Sequence, residues 1–164
     1  MTGMTRKEFS AALFGVGAIS ALGSGKGDFK VAQRPSPFEP SKMLSYIGFG
    51  GGKRFPEKDG GKLSQYATFD YDTAARGIEY ALEHGVNFFD SASAYHLRGD
   101  SERFYGKVLS KYPRNSYTFC TKMSPWSIKT LQDGKDLFAE QLDRCQMDSF
   151  DVYMLHTVLR EEDF

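Results

Sequence analysis

The sequence lacks the residue patterns that build metal centres, disulfide frameworks and nucleic-acid surfaces. Its two cysteines, Cys120 and Cys145, have neither CxxC spacing nor neighbouring histidines, so they are expected as buried thiols. Lys and Arg together number 21, as do Asp and Glu, so the basic excess typical of nucleic-acid binders is missing. No apolar run reaches the roughly 18 to 20 residues of a membrane span. The composition of the whole sequence, 40% hydrophobic and 26% charged, is typical of a globular domain.

The first 27 residues differ in composition from the rest. Arg6 and Lys7 precede a Gly/Ala-rich apolar run over 11–22 that ends in small residues, which is the layout of an export signal. The stretch TRKEFS resembles the twin-arginine signal, with Lys7 where the second arginine usually stands. We therefore expect residues 1–27 to direct export to the periplasm; without a working signal the protein would stay in the cytoplasm. The alternative is an N-terminal helix that packs its apolar face on the domain.

After this segment, a linker leads into alternating strands and helices. Residues 28–42 are polar and contain three prolines, so they are predicted to be a linker. Apolar stretches from residue 43 onward predict strands, and segments with apolar residues at helical spacing lie between them. Asp70 is expected to cap the first helix, and Asp100 or Ser101 the second. The predicted strands are 43–50, 86–90, 117–122 and 150–156, and the predicted helices are 69–85, 101–112 and 136–145.

Strict alternation of strands and helices favours an α/β fold with a parallel sheet and right-handed crossovers. An open doubly wound sheet and a barrel both meet that description. A dinucleotide-binding open sheet would carry GxGxxG between its first strand and a helix, whereas GFGGGKRF at 48–55 has another spacing and leads into a loop. The barrel is therefore favoured. Because a (β/α)8 TIM barrel has eight strands, residues 43–164 would supply its first four β/α units, a half barrel.

Four polar side chains stand where the predicted strands end. Asp90 ends the second strand, and Tyr95 follows in its loop. Lys122 lies 32 residues after Asp90, and His156 lies 34 residues after Lys122, so they end the third and fourth strands. Each alone has a structural explanation, such as a capping carboxylate or a core histidine. Because the carboxyl ends of parallel barrel strands meet where active sites are built, we expect all four to lie together.

These residue types suit the reduction of a carbonyl group. An ammonium beside a phenol favours the ionised phenol, so Lys122 would make Tyr95 a proton donor to a forming alkoxide. Asp90 would pair with Lys122, and a neutral His156 would donate a hydrogen bond to the substrate carbonyl. Since no side chain donates a hydride, the reaction requires a redox cofactor.

The motifs around these residues resemble those of the aldo-keto reductases. The matching stretches are GVNFFDSASAY, GDSERFYGKVL, FCTK and DVYMLH, within a resemblance that runs from residue 43 to 164. By these motifs, the residues that match the family's catalytic tetrad are Asp90, Tyr95, Lys122 and His156.

The resemblance implies a (β/α)8 barrel and NAD(P)H-dependent interconversion of carbonyls and alcohols, with a small-molecule carbonyl as substrate. Gly50, Gly51 and Asp90 are then expected to contact the cofactor, NADP or NAD. The stretch from residue 121 to 158, with Trp126 after TKMSP, resembles the branch whose full-length members carry a C-terminal ferredoxin-like iron–sulfur domain. A cluster would belong to such a further domain, and no metal ligands are predicted within this chain.

Two functions compete for this chain. One is an aldo-keto reductase, and the other is a truncated, catalytically inactive half-barrel remnant or binding piece. Four strands alone would leave exposed edges and an uncovered inner face, to which we assign Ile47, Phe88, Phe119 and Met154. The chain by itself is therefore expected to self-associate through these half-barrel edges.

Overall fold

The computed structural model describes residues 29–52, 55, 70–96 and 99–159. The expected export signal, residues 1–27, lies outside these ranges. No helix within them is long and apolar enough to cross a membrane. Short 3₁₀ turns lie at Arg114–Ser116 and Pro125–Ser127. The other elements are β1 (Gln33–Pro35), β2 (Met43–Ser45), β3 (Phe49–Gly50), α1 (Tyr71–Glu83), β4 (Phe88–Asp90), α2 (Asp100–Leu109), β5 (Thr118–Met123), α3 (Leu131–Cys145) and β6 (Val152–Leu155).

The central element is a parallel sheet with the strand order β3–β4–β5–β6. Helices α1, α2 and α3 lie between successive strands in the chain. A doubly wound sheet reverses its strand order near the centre, whereas each crossover here leads to the next position, as in a barrel. The predicted alternation and parallel sheet are confirmed, and the strand order of the described residues matches the barrel alternative.

The start of the domain departs from the prediction. The expected linker over 28–42 contains β1, which pairs antiparallel with β2 in a hairpin, and the expected strand over 43–50 is divided into β2 and β3. Asn87 attaches the hairpin to β4: its side-chain oxygen accepts from the Ser45 N–H and its amide donates to the Met43 carbonyl, both at 2.8 Å. Since these bonds join residues more than 40 positions apart, prolines and polarity near the hairpin did not reveal it.

The helix starts follow local capping chemistry. Asp70 caps α1 as predicted, through its side chain. Gly99, with a φ of 76°, stands at the N-cap of α2 in place of the predicted side-chain cap. Helix α3 starts earlier than the predicted residue 136, because Thr130 and Asp133 form a capping box in which each side chain accepts from the other's backbone N–H.

The core lies between the sheet and the helices. Phe89, Phe104 and Phe119 are completely buried there, together with Tyr105, whose hydroxyl donates to the Phe49 carbonyl at 3.0 Å. Helix α2 approaches α3 closely at Gly106, where a Cβ would come within 2.7 Å of backbone atoms of the facing helix. Any larger residue at that position would force the two helices apart.

The opposite face of the sheet carries the site and is partly uncovered. The prediction that Phe119 points toward this face is wrong. Phe119 is the register partner of Phe89 and packs in the core on the helix side of the sheet. Cys120, beside Asp90 in the register, takes the inward position, because side chains alternate along a strand. Both cysteines are buried free thiols, as predicted. Ile47 and Met154 are 47% and 41% exposed, so apolar area remains accessible near both edge strands.

We expect the 164-residue chain to self-associate in solution, since β3 and β6 are the edges of the described sheet and apolar side chains lie near them. Light scattering over a range of concentrations should show species larger than a monomer. Met154→Lys should weaken the association, whereas Leu131→Lys, at an exposed position on α3, serves as the matched control. A monomer at every concentration would contradict this expectation.

Candidate active site

The four predicted residues come from three neighbouring strands and one loop. Asp90 is the last residue of β4, Lys122 lies near the end of β5, and His156 directly follows β6. Tyr95 lies between β4 and α2. The structure brings all four together at the carboxyl end of the sheet, as the parallel register requires.

The ammonium of Lys122 organises the site. Its Nζ donates to both carboxylate oxygens of Asp90 and to the Ser91 carbonyl, all at 2.7 Å, and to the hydroxyl oxygen of Tyr95 at 3.3 Å. The Lys122 side chain is 11% exposed. An ammonium donates but cannot accept, so the Tyr95 oxygen is the acceptor in this contact. The phenol proton of Tyr95 is therefore available to another acceptor, and Tyr95 has the geometry of a proton donor.

The imidazole of His156 is held by aromatic rings. Its ring centroid lies 5.3 Å from that of Tyr95, edge-on, and 5.4 Å from that of Trp126. Its Nδ1 is buried and has no hydrogen-bond partner among the described residues. Burial, and after it the Lys122 ammonium, lower the pKa of His156, while Asp90 opposes the shift. With no acceptor at Nδ1, a neutral imidazole carries its proton on Nε2 and can donate from there.

Uncommon backbone conformations mark both ring-bearing positions. His96, with a φ of 56°, follows Tyr95, and Thr157, with a φ of 58°, follows His156. Residues other than glycine rarely adopt positive φ, and such conformations cluster at functional sites. The residues that directly follow Tyr95 and His156 therefore both have strained backbone conformations.

The glycines after β3 were predicted to contact a cofactor. Gly51 is small for a packing reason: a Cβ there would lie 2.4 Å from the Tyr105 ring and 2.5 Å from the Ser101 hydroxyl. Its N–H donates to the Asp90 carbonyl at 2.7 Å. The absence of a side chain at Gly51 therefore lets the end of β3 pack against α2. Its contact with a cofactor stays a prediction.

Its two neighbours have different surroundings: Gly50 borders open space, and Gly52 lies against the Tyr95 ring. A Cβ on Gly50 would meet nothing within 4 Å, and a Cβ on Gly52 would lie 3.7 Å from the Tyr95 ring. The backbone of Gly52, without a side chain, thus lies beside the phenol ring. Gly50 also pairs with Asp90 in the sheet, and the contact of both residues with a cofactor stays a prediction.

The polar residues beneath the site were missed by sequence reasoning. Ser91 supplies a carbonyl to Lys122, and its hydroxyl donates to Ser101, which donates to the Gly51 carbonyl. The Ser/Ala run directly after Asp90 was the signal that could have indicated this close packing. Burial, and after it Asp90, raise the pKa of the Cys120 thiol to about 12, so it stays protonated. In the described ranges no group of three His, Cys, Asp or Glu side chains could hold a metal.

A sequence comparison assigns the family. The model of the aldo/keto reductase family matches residues 47–163. The chain therefore belongs to the aldo-keto reductase family, and the resemblance stated from its motifs is confirmed at that level.

The curated relatives are oxidoreductases by name. The chain is 35% identical over 101 residues to the chloroplastic pyridoxal reductase of Arabidopsis thaliana. The aligned region covers 56% of this chain and 27% of that protein. It is 30% identical over 89 residues to the D-arabinose 1-dehydrogenase of Saccharomyces cerevisiae, covering 49% of this chain and 26% of that protein. The chain thus spans about a quarter of the length of these relatives.

Solved structures of low sequence identity share the fold. A thermostable aldo-keto reductase crystallised with the inhibitor epalrestat superposes with a TM-score of 0.64 at 18% identity, over 80% of this chain and 44% of that one. A putative aldo-keto reductase of Pseudomonas aeruginosa gives a TM-score of 0.64 at 22% identity, over 86% and 54%. The predicted (β/α)8 family fold is confirmed, with about half the barrel represented here.

The pKa shift of His156 leads to a pH prediction. Because the folded pKa of His156 lies below the ordinary 6.5, the unfolded chain binds a proton at this imidazole at a higher pH than the folded chain does. Folding stability is therefore lost as the pH falls through 6.5 toward the folded pKa. In an NMR titration, the His156 resonance should titrate at lower pH in the folded chain than in urea. Lys122→Met should move the folded midpoint upward, because it removes the adjacent positive charge. A folded midpoint at or above the unfolded one would contradict the assigned environment.

Proposed function

We propose that this chain contributes the catalytic half of an NAD(P)H-dependent carbonyl reductase. One observation carries the proposal: the Tyr95 hydroxyl accepts from an ammonium whose other protons are bound by Asp90 and the Ser91 carbonyl. That arrangement leaves the phenol proton free and places a positive charge where a phenolate would form. It is the requirement for a general acid that acts on a substrate alkoxide.

The cofactor site that we propose lies at the glycine-rich end of β3. Bound NAD(P)H supplies a hydride to the substrate carbon. Gly52 lies beside the Tyr95 ring, and Gly50, which borders open space, pairs with Asp90. These three residues would hold the nicotinamide side of the molecule. A structural neighbour crystallised with NADPH superposes with a TM-score of 0.59 at 16% identity, which supports the shared fold.

In the proposed reaction, each of the four site residues has its own role. His156 donates a hydrogen bond from Nε2 to the substrate carbonyl oxygen and orients it. Tyr95 releases its phenol proton to that oxygen as negative charge develops there. Lys122 stabilises the resulting phenolate at short range, and Asp90 keeps the ammonium charged and in place.

The substrate we propose is a small carbonyl compound. The rings of Tyr95, His156 and Trp126 stand together at the carboxyl end of the sheet, so a compact molecule would meet polar groups at its carbonyl and aromatic surface beside it. The relatives named for pyridoxal and D-arabinose support a small, polar substrate class. The resemblance around Trp126 supports membership of the branch that carries an iron–sulfur domain.

A second candidate function is a binding piece without turnover. The exposure of Ile47 and Met154 beside the edge strands favours it for the 164-residue chain alone. Activity that appears only when the remaining β/α units are supplied would assign catalysis to the closed barrel, and binding to the half.

We expect Tyr95→Phe to lower the rate of carbonyl reduction by about 10² or more, because the general acid is lost. The test uses a barrel in which this chain is closed by the remaining β/α units of the Pseudomonas aeruginosa relative. NADPH binding should barely change, since the ring stays in place. Tyr46→Phe, at an exposed tyrosine between β2 and β3, is the matched control. A Tyr95→Phe barrel that turns over at the parental rate would remove the proton-donor role.

We also propose export to the periplasm, supported by Arg6, Lys7 and the apolar run that follows them. Residues 1–30, fused to a reporter that folds before transport, should direct it across the inner membrane. Replacing both Arg6 and Lys7 with Gln should stop transport, whereas Lys26→Gln, beyond the apolar run, should not. Cytoplasmic retention of the unchanged fusion in a host with the twin-arginine machinery would refute the proposal.

A further inference from the structure

The carbonyl oxygen of Lys122 joins the site to polar groups on the other face of the sheet. It accepts from the Ser93 hydroxyl at 3.2 Å, from the Ser93 N–H at 3.4 Å and from the side-chain amide of Gln141 at 3.1 Å. Ser93 stands two residues before Tyr95. This atom therefore attaches the loop that carries the proton donor to the strand that carries the ammonium. The hydroxyls of Ser93 and Ser124, 2.7 Å apart, attach the same loop to the chain just after that strand.

Behind this carbonyl lies a cluster of hydrogen-bonded side chains, which we call the buried polar cluster. Glu102 accepts from the Thr121 hydroxyl at 2.6 Å, from Gln141 at 2.5 Å and from the Arg144 Nε at 2.8 Å. Gln141 in turn accepts from the Tyr153 hydroxyl at 2.6 Å. Glu102, Thr121 and Gln141 are completely buried. The cluster links α2, α3, β5 and β6, the elements around Tyr95, Lys122 and His156.

The orientation of the Gln141 amide is determined from both ends. Its oxygen is engaged by Tyr153, and its nitrogen donates to Glu102 and to the Lys122 carbonyl. A rotated amide would place its NH₂ group against the Tyr153 hydroxyl and its oxygen against the Glu102 carboxylate. Buried polar groups of this kind add little net stability compared with apolar packing, and their best-supported benefit is a defined geometry.

We infer that Gln141 is a positioning residue for the proton donor, an inference that rests on the proposed function. By holding the peptide after Lys122, it fixes the acceptor to which Ser93 binds, and so the approach of Tyr95 to the ammonium. The contact from Lys122 to Tyr95, at 3.3 Å, is longer than the 2.7 Å contacts to Asp90 and Ser91. A small displacement of the peptide therefore affects the phenol contact first.

The test replaces Gln141 with Met, which is similar in size but donates no hydrogen bond. Glu140→Gln is the matched control, because Glu140 precedes it on α3 and lies at the surface. Among the described residues, its contact with the cluster is through Arg144. Amide hydrogen exchange of the 164-residue chain, read by NMR, is the first measurement. Exchange at Ser93 should rise roughly fivefold to tenfold in the Met variant, the scale of one net hydrogen bond. The His156 amide, bonded to the Met123 carbonyl, should stay unchanged.

Turnover is the second measurement, made in the closed barrel. Gln141→Met should lower kcat roughly tenfold with an unchanged KM for the carbonyl substrate, and alter the pH profile of kcat. Faster exchange at Ser93 and His156 alike, with an unaltered pH profile, would show a merely structural role and overturn the inference, as would unchanged exchange at Ser93. If Gln141→Met does not fold, Tyr153→Phe is the second variant, because it removes the hydrogen bond to the oxygen of the same amide. It should also raise the exchange rate at Ser93. An unchanged exchange rate at Ser93 in Tyr153→Phe would overturn the inference.

The two measurements separate this inference from the proposed function. If the parental barrel reduces no carbonyl, the proposed function fails, while the exchange at Ser93 still decides whether Gln141 holds the Tyr95 loop. If the barrel is active and Gln141→Met leaves both exchange and kcat unchanged, the positioning role alone is wrong.

Discussion

The ion pair between Lys122 and Asp90 is the interaction on which the site depends. A positive charge with little access to water is tolerated only when its donors are bound, and here a carboxylate, the Ser91 carbonyl and the Tyr95 hydroxyl bind them. The ammonium therefore holds the phenol oxygen, and together with burial, which is the larger cause, it lowers the pKa of the neighbouring His156. Removing Asp90 would leave a buried charge without a counter-ion and would disturb all of these groups together.

The two faces of the sheet serve different purposes. Along β5, Phe119 and Thr121 face the helices, while Cys120 and Lys122 face the inside of the barrel. The helix side is a dense aromatic core, into which the buried polar cluster is inserted at one level. We propose that this level is functional, because it lies directly behind the peptide that links Lys122 to the Tyr95 loop.

The family assignment relates the geometry of the site to the barrel of the aldo-keto reductases. The region that superposes on the solved aldo-keto reductases represents about half of a (β/α)8 barrel, and it contains all four residues of the proposed tetrad. In the proposed function, proton donation, charge stabilisation and carbonyl orientation are thus concentrated on three adjacent strands and the loop after β4. The cofactor contacts that we propose for this half involve Gly50, Gly52 and Asp90. Closure of the barrel is what would complete the binding surface.

Local chemistry in the sequence determined the strand–helix alternation, the Asp90, Tyr95, Lys122 and His156 set and the capping role of Asp70. These features depend on residues close in the chain or on the regular repeat of β/α units. The hairpin held by Asn87, the outward direction of Phe119 and the cluster around Gln141 were decided only in three dimensions. Each depends on partners dozens of residues away or on the register between strands, and a shift of one residue reverses the face to which a side chain points.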